Sequence, residues 1–280
     1  MRYIKIKNEN NDWQYFEALK KNRNKRHSSG EFFVEGVRNI NECLKHNWEV
    51  RSVIFSEEQK ISDWAKNIIK NLGGKADIYS LKKDLLEKLS DKQDKDEAAE
   101  IIFTVKTRRQ NLAALSLSKD SVILIFDRPS NKGNLGAVIR SCDAFGVECL
   151  ILAGHSVDMY DSEVLRAATG SFFKQKIIAE PSFNNIADWV RGQKNIFGGL
   201  KVFGTSEKGE RILEPGCFER AAPAIIILGN ETMGMSENFC GISDCLLRIR
   251  MSGKSSASSL NAACAASIIL HDVYRAKHVT

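Results

Sequence analysis

Side chains that could orient or polarise a substrate stand in three short loops in the second half of the sequence. Asn134 lies near the start of a helical pattern, and Arg140 follows between one and two turns later. A Gly-Asn-Glu turn occupies residues 229–231, and Ser-Leu-Asn at 259–261 stands at the mouth of the last helical pattern. A guanidinium can steer phosphate or stabilise an oxyanion, whereas the glutamate and the serine would otherwise be a solvated turn residue and a helix N-cap. The residue types alone leave both interpretations open.

The spacing within these loops disfavours two common nucleotide-binding motifs and a metal site. The loop DRPSNKGNLGAVIR has Gly133 and Gly136 but lacks the GxGxxG of a dinucleotide fingerprint, and LGNETMG lacks the Gly-Lys-Ser/Thr of a P-loop. The five histidines are scattered, and the seven cysteines include no Cys-x-x-Cys pair. We therefore expect no bound metal and reduced cysteines, most of them in the core.

The elements that must position these loops are buried strands alternating with helices. SVILIFD, from Ser121, is a continuous apolar run typical of a strand buried on both faces, and the helical pattern LGAVIRSCDAFG follows it. Further strands are predicted in ECLILAG, FFKQKIIAE, LKVFGTS, PAIIILGN and LLRIRM, and further helices in SEVLRAATG, FNNIADWVRG and SLNAACAASIILHDVYRAK. The alternation predicts a doubly wound, largely parallel α/β sheet. Ligands of such sheets lie outside the carboxyl ends of strands, which is where the loops after SVILIFD, KVFG, AIIILG and LLRIRM would meet.

The first part of the sequence predicts a separate, smaller α/β domain. Short strand-like runs, among them EFFVEG, VRSVIF and EIIFTVKT, alternate with helical patterns, which implies a small sheet covered by helices. The polar stretch LSDKQDKDEAAE is interpreted as a surface loop. Charged and small polar residues between 107 and 120 mark a linker. We therefore expect one domain over residues 1–112 and a second over 118–280.

Charge and hydropathy favour a polyanionic partner and give no sign of a membrane. The formal net charge is +6, and residues 1–30 carry eight Lys or Arg against three Asp or Glu. The basic stretch at 20–27 could bind RNA phosphate, or it could be a solvated helix end. No apolar run is long enough for a membrane span, and the N-terminal residues have no signal-peptide pattern, so we expect a cytosolic protein.

Three motifs carry a specific resemblance. NLGAVIRSCDAFG, IILGNETMGMS and SSLNAACAA occur in the order and spacing of the SpoU (TrmH-like) family of SPOUT RNA 2′-O-ribose methyltransferases, over residues 127–274. FFVEGVRNINECL resembles the ribosomal-protein-like substrate-binding domain that many of these enzymes carry. The resemblance implies a mostly parallel α/β catalytic domain, knotted as a trefoil, behind a small α/β RNA-binding domain.

The resemblance also implies the chemistry, the cofactor and the partners. S-adenosylmethionine would donate a methyl group to a ribose 2′-hydroxyl, in ribosomal RNA rather than transfer RNA, and the enzyme would be a homodimer through its catalytic domain. The catalytic residues would be Asn134, Arg140, Glu231 and Asn261. Cofactor contacts would come from Gly204, Thr205, Leu228, Gly229, Asn230, Gly234, Ile249, Ser259 and Leu260. RNA contacts would come from Arg23, Lys25, Arg26 and Arg166, although Arg166 could equally pair on a helix surface.

Alternatives and departures from the family pattern stay open at this point. The chain could act on transfer RNA, could methylate a base, or could be a non-catalytic RNA-binding or ribosome-assembly factor with the same fold. Arg250 stands where the family usually has proline, and the stretch KSSAS after Gly253 is about two residues longer than usual. These differences predict a reshaped cofactor loop.

Overall fold

The computed structural model describes residues 2–91, 99–214, 216–218 and 223–278. The chain divides into two compact units, the first made of residues 1–108 together with 158–173, and the second of 109–157 together with 174–280. Part of the predicted surface loop LSDKQDKDEAAE lies outside the described residues.

The first unit is built on a five-stranded mixed sheet. Its strands are β1 (Tyr3–Ile6), β2 (Glu31–Glu35), β3 (Val50–Phe55), β4 (Asp77–Leu81) and β5 (Ile101–Lys106). They lie in the order β1-β4-β3-β5-β2, with β4 parallel to both of its neighbours and β5 antiparallel to both of its own. β1 was not predicted, because YIKI is too short to show a pattern of its own.

Helices cover this sheet. They are α1 (Asn11–Lys21), α2 (Arg23–Ser29), α3 (Val37–Lys45), α4 (Asp63–Leu72) and α5 (Lys83–Leu89). Of these, α1, α2 and α4 begin at capping side chains. The Asn10 side chain accepts from the Trp13 amide at the start of α1, and Ser62 does the same for Ala65 in α4. Apolar side chains of α1 and α5 pack with those of the sheet in one core that includes Phe16, and its burial holds the layers together.

The segment 158–173 belongs to the first unit, although it follows the first two strands of the predicted catalytic domain. It contains α7 (Ser162–Ala168) and all but the last residue of α8 (Ser171–Lys174). The Tyr160 ring packs on Phe32 with centroids 4.7 Å apart, and the Trp48 indole donates to the Phe173 carbonyl over 2.9 Å. These buried aromatic contacts explain why the segment groups with residues far from it in sequence.

The second unit is built on a seven-stranded sheet in which every pair is parallel. Its strands are β6 (Val122–Asp127), β7 (Cys149–Ala153), β8 (Ile177–Glu180), β9 (Lys201–Thr205), β10 (Arg211–Ile212), β11 (Ala224–Leu228) and β12 (Cys245–Arg248). They lie in the order β10-β12-β9-β11-β6-β7-β8. Every residue of β6, β7 and β11 is buried, as the continuous apolar runs predicted for strands covered on both faces. The predicted α/β class is confirmed.

Two helices of this unit lie side by side with their first turns at the same end. The helices are α6 (Lys132–Ala144), α9 (Phe183–Ile196), α10 (Glu237–Ile242) and α11 (Ala262–His278), with a short 3₁₀ helix at Leu112–Ala114. The Ser141 and Ser267 hydroxyls of α6 and α11 are 2.7 Å apart, and Phe145 packs on His271 further along. α6 therefore runs parallel to α11, so that both N-termini reach the same loops.

Two local predictions were wrong. Phe172 and Phe173, predicted as strand core, lie in the short helix α8, and β8 begins only at Ile177. Thr169 and Gly170 have φ of 47° and 94°, a left-handed turn that redirects the chain before the aromatic pair. The last helix begins three residues later than predicted.

The seven cysteines are all free thiols, and four of them are buried. Burial raises the pKa of the Cys43 and Cys149 thiols to about 12, which keeps both protonated and unreactive at neutral pH. Within the described residues, every helix is too short or too polar to cross a bilayer.

Candidate functional site

The carboxyl ends of four neighbouring strands bring the predicted loops to one edge of the parallel sheet. In register, Leu228 at the end of β11 pairs with Phe126 of β6, and Ile227 pairs with Gly204 of β9. Leu247 of β12 pairs with Thr205 at the end of β9. The loops that follow β6, β9, β11 and β12 therefore leave the sheet side by side, as the sequence predicted.

Three of the four predicted catalytic residues form a hydrogen-bonded row. The Asn261 side-chain amide donates to Asn134 Oδ1 over 2.9 Å, and the Asn134 side-chain amide donates to Glu231 Oε1 over 3.4 Å. Asn134 lies in the first turn of α6, Glu231 in the loop after β11, and Asn261 immediately before α11. The row therefore brings Asn134 together with two loops that lie 97 and 127 residues further along the sequence.

Glu231 is held by the loop after β6. Its Oε2 accepts from the Ser130 amide over 3.0 Å and the Ser130 hydroxyl over 2.7 Å, and its Oε1 accepts from the Asn131 amide over 3.1 Å. Partial burial raises the pKa of Glu231, but the hydrogen bonds from Ser130 and Asn131 outweigh it and leave the pKa below its usual 4.5. Glu231 is thus a carboxylate at neutral pH and a poor proton acceptor.

Helix caps fix the two asparagines of the row. The Asn131 side chain accepts from the Asn134 amide over 2.9 Å and caps α6. Asn261 Oδ1 accepts from the Ala263 amide over 2.9 Å and the Cys264 amide over 3.4 Å, so Asn261, and not Ser259, caps α11. The Asn261 side chain is therefore set by the helix end as well as by Asn134, whereas at Asn134 the cap fixes the backbone amide.

Asn230 shapes the turn that carries Glu231. Its Oδ1 accepts from the amides of Thr232 and Met233, each over 2.9 Å, and its side-chain amide donates to the Arg128 carbonyl over 2.6 Å. A pair of backbone hydrogen bonds between Asn230 and Gly234 closes the turn. Asn230 therefore organises the loop from within.

Arg140 stands apart from the row. It lies six residues after Asn134 on α6, and its side chain is exposed. Within the part of the chain that the structure describes, its guanidinium has no hydrogen-bond or ion-pair partner, and neither oxygen of Glu231 accepts from it. The guanidinium is free to meet a substrate.

The predicted cofactor residues have different surroundings. A Cβ on Gly204 would lie 2.5 Å from Met235 Cε and 2.7 Å from Leu246 Cδ2, so this glycine makes room for the protein's own side chains. A Cβ on Gly229 would lie 2.4 Å from the Met235 amide nitrogen, so that glycine permits the tight return of its own loop. Among the other predicted cofactor residues, Leu228 is buried, Thr205 and Ile249 are partly buried, and Gly234, Ser259 and Leu260 are exposed.

Arg26, predicted to contact RNA, has a structural role instead. Its side chain is only 2% exposed, and its Nε lies 2.7 Å from Asp158 Oδ2 while Nη2 lies 3.2 Å from Asp161 Oδ2. Its Nη1 donates to the carbonyls of Leu19 and Lys20. All three guanidinium nitrogens are thus used inside the first unit, and none is left for a phosphate.

The other three predicted RNA contacts lie at the surface of the first unit. Arg23 is exposed, and the Lys25 ammonium lies 4.7 Å from the centroid of the Tyr15 ring. The side chain of Arg166 is 63% exposed, with Nη1 3.8 Å from an Asp91 carboxylate oxygen. That distance and exposure make a weak pair, which leaves Arg166 able to bind an anion.

Four residues that contact the loop carrying Glu231 were missed by the sequence analysis. Asp127 is the last residue of β6, and Arg128, Ser130 and Asn131 follow it. The sequence did offer one signal, since an asparagine three residues before Asn134 is a typical N-cap position. Groups of His, Cys, Asp and Glu able to hold a metal ion do not occur among the described residues.

A parallel α/β unit whose amide and carboxylate side chains meet at the carboxyl ends of its strands defines a ligand-binding α/β protein. The particular family is now evident: this chain belongs to the SpoU rRNA Methylase family. Residues 121–271 match that family, and residues 10–103 match the SpoU L30e-like domain. The predicted family is confirmed.

Two relatives and one solved structure are similar to this chain over more than nine-tenths of its length. The 23S rRNA (uridine(2479)-2'-O)-methyltransferase of Streptomyces viridochromogenes is 35% identical over 97% of this chain and 92% of its own length. The 23S rRNA (guanosine(2553)-2'-O)-methyltransferase RlmP of Bacillus subtilis is 27% identical over 93% of each chain. The crystal structure of the SpoU methyltransferase AviRb from Streptomyces viridochromogenes, in complex with the cofactor AdoMet, superposes with a TM-score of 0.85 at 35% identity, over 95% of this chain and 97% of that one.

Proposed function

We propose that this chain transfers a methyl group from S-adenosylmethionine to a ribose 2′-hydroxyl of ribosomal RNA. The observation that carries the proposal is the row Asn261–Asn134–Glu231, which joins the three loops of the family motifs at one edge of the parallel sheet. Two relatives that align with more than nine-tenths of this chain are named as 23S rRNA 2′-O-methyltransferases, which favours ribosomal RNA.

The residues at this edge fit S-adenosylmethionine. Residues 252–260 form neither helix nor strand and are exposed, so their backbone groups can meet polar atoms of a ligand. Leu260 is 37% exposed and Met233 is 76% exposed, which leaves apolar side chains open on two of the loops. Ligand sites combine such apolar surface with a few polar groups. When bound, S-adenosylmethionine supplies an electrophilic methyl group.

The protein's own residues would position the ribose and steady its charge. A guanidinium offers five donors and no acceptor, so we assign Arg140 to phosphate or to the negative charge that develops on the 2′-oxygen rather than to proton removal. Asn134, fixed by the helix cap and by Asn261, would orient the site. Glu231 would hold the loops together through its hydrogen bonds, and its lowered pKa makes it too weak a base to remove the proton. Positioning accounts for most of the acceleration in this proposal.

The proposal extends to domains, partners and location. Residues 1–112 would bind the RNA and 118–280 would carry the methyl transfer, with a C-terminal trefoil knot. Cys264, Ile268, His271 and Arg275 are exposed along one face of α11, and Ile268 is 40% exposed. A homodimer through this face would cover it. The reduced cysteines and an RNA substrate favour the cytoplasm.

Methyl transfer to purified RNA tests the proposal. Tritiated methyl from S-adenosylmethionine would be supplied with unmodified ribosomal RNA and, separately, with transfer RNA, and an Arg140→Ala variant would serve as the matched control. Label in ribosomal RNA that depends on Arg140 is expected. Label in transfer RNA would select the alternative substrate, and cofactor binding without any transfer would favour a non-catalytic assembly factor.

A further inference from the structure

Two adjacent residues at the end of β6 form an ion pair that neither the motifs nor the family assignment explains. Asp127 is 2% exposed, and its two oxygens accept from Arg128 Nε and Nη2, each over 2.9 Å. A bidentate pair of this kind is strong and geometrically specific. The hydrogen bond to Asp127 raises the pKa of Arg128, so the guanidinium stays charged.

The two residues are joined to the loop after β11 by three hydrogen bonds. Arg128 Nη2 donates to the Gly234 carbonyl over 3.2 Å, and the Ser236 amide donates to Asp127 Oδ2 over 2.8 Å. The Asn230 side chain donates to the Arg128 carbonyl over 2.6 Å. Contacts at the beginning and towards the end of the 230–236 stretch leave Glu231, which lies between them, little freedom to move.

The backbone at Arg128 indicates that its side chain is needed. Its φ is 51°, a left-handed conformation that glycine adopts readily and that most other residues avoid. The Arg128 stem also lies against Gly154 after β7, where a Cβ would be 2.8 Å from Arg128 Cγ. A strained backbone persists where surrounding contacts fix it, and here those contacts are the ones to the loop.

We propose that Asp127 and Arg128 are positioning residues for methyl transfer: their ion pair holds residues 230–236 in the conformation that receives S-adenosylmethionine and that keeps Glu231 against Ser130 and Asn131. This inference rests on the proposed function. Arg128 acts through the loop and through Glu231, and it need not touch the substrate itself.

The test is an Arg128→Gly variant, because glycine suits the left-handed backbone at this position and removes the guanidinium together with its aliphatic stem. We expect the thermal midpoint to fall, because Asp127 is left buried without its guanidinium partner, so both proteins are compared well below their unfolding transitions. The dissociation constant for S-adenosylmethionine should rise by about tenfold or more, as expected for the loss of charge-assisted hydrogen bonds. Amide exchange at Gly234 and Ser236 should accelerate in the cofactor-free protein, and millimolar methylguanidinium should restore both quantities. Arg191→Ala, at an exposed pair with Asp188, is the control.

The outcomes separate the two proposals. Faster exchange together with weaker, guanidinium-rescued cofactor binding supports the positioning role. A wild type that binds the cofactor and a variant that binds it equally well overturn the role and leave the proposed function intact. A lower thermal midpoint with unchanged affinity assigns Arg128 to stability alone and overturns the role too. A wild type that binds no S-adenosylmethionine overturns the proposed function, and the positioning role with it.

Discussion

Replacing Glu231 by glutamine removes the charge at the centre of the hydrogen-bonded row while it preserves the size of the side chain. The carboxylate accepts four hydrogen bonds, two at each oxygen, from Ser130, Asn131 and Asn134. A glutamine has one oxygen, so its amide nitrogen must face one of the two pairs of donors. The Ser130 hydroxyl could turn to accept from that nitrogen, but the backbone amides of Ser130 and Asn131 can only donate, so either orientation leaves a donor opposite a donor and removes the charge from the other bonds.

The expected loss follows from that count. Two hydrogen bonds to a charged acceptor are removed, and because Glu231 is only partly buried we take the lower end of their usual worth, about 1.5 kcal/mol each. The sum of about 3 kcal/mol corresponds to a fall of about a hundredfold in kcat/KM. Global stability should change less, because the broken bonds join loops rather than the core.

The assay is steady-state methyl transfer to ribosomal RNA with Glu231→Gln, beside a Glu237→Gln control at an exposed residue of α10. The control should keep the activity of the wild type. If Glu231→Gln retains kcat/KM within threefold while the control behaves as expected, the row does not organise the site and the reasoning fails.

Arg140→Lys keeps the charge but loses the planar fork, so kcat should fall about tenfold while the unfolding free energy changes by less than about 0.5 kcal/mol; a kcat equal to that of the wild type would remove Arg140 from the site. Arg26→Met leaves Asp158 and Asp161 buried without their partner and should lower the unfolding free energy by about 3 kcal/mol or more in chemical denaturation, whereas exposed Arg23→Met should weaken RNA binding instead; the opposite pattern would restore Arg26 as an RNA contact. Because the pKa of Glu231 lies below its usual 4.5, its contribution is complete above that pH and is lost as the pH falls through the lower folded value. The difference in cofactor affinity between wild type and Glu231→Gln should therefore be constant from pH 8 to about pH 5 and shrink below about pH 4.5, and a difference that already shrinks at pH 6 would contradict the lowered pKa.

Much of the fold could be predicted because each buried strand or helix shows a characteristic pattern of apolar residues within its own segment. The wholly apolar runs that became β6 and β11 indicated strands covered on both faces, and their alternation with helices indicated a parallel sheet. The pair Phe172–Phe173 was assigned to a strand because aromatic residues favour strands, and the left-handed turn at Thr169 that places them in a helix has no such local signal.

For the candidate site, the sequence predicts several of the residues but not the contacts between them. Asn134, Glu231 and Asn261 could be selected by family motifs, but their mutual hydrogen bonds depend on strand order. Arg26 was misassigned because a cluster of basic residues suggests a phosphate-binding surface, while its carboxylate partners lie 132 and 135 residues away in sequence. Arg128 was overlooked because nothing in the sequence reveals that its backbone is left-handed. The knot and the homodimer stay predictions.

The central claim is methylation of the ribose, and the chemical position of the transferred methyl tests it most directly. Ribosomal RNA labelled by the enzyme would be hydrolysed in alkali and separated by size. A 2′-O-methyl group blocks attack on the neighbouring phosphate, so the account predicts label in alkali-resistant dinucleotides. Label released in mononucleotides would place the methyl group on a base and contradict the account.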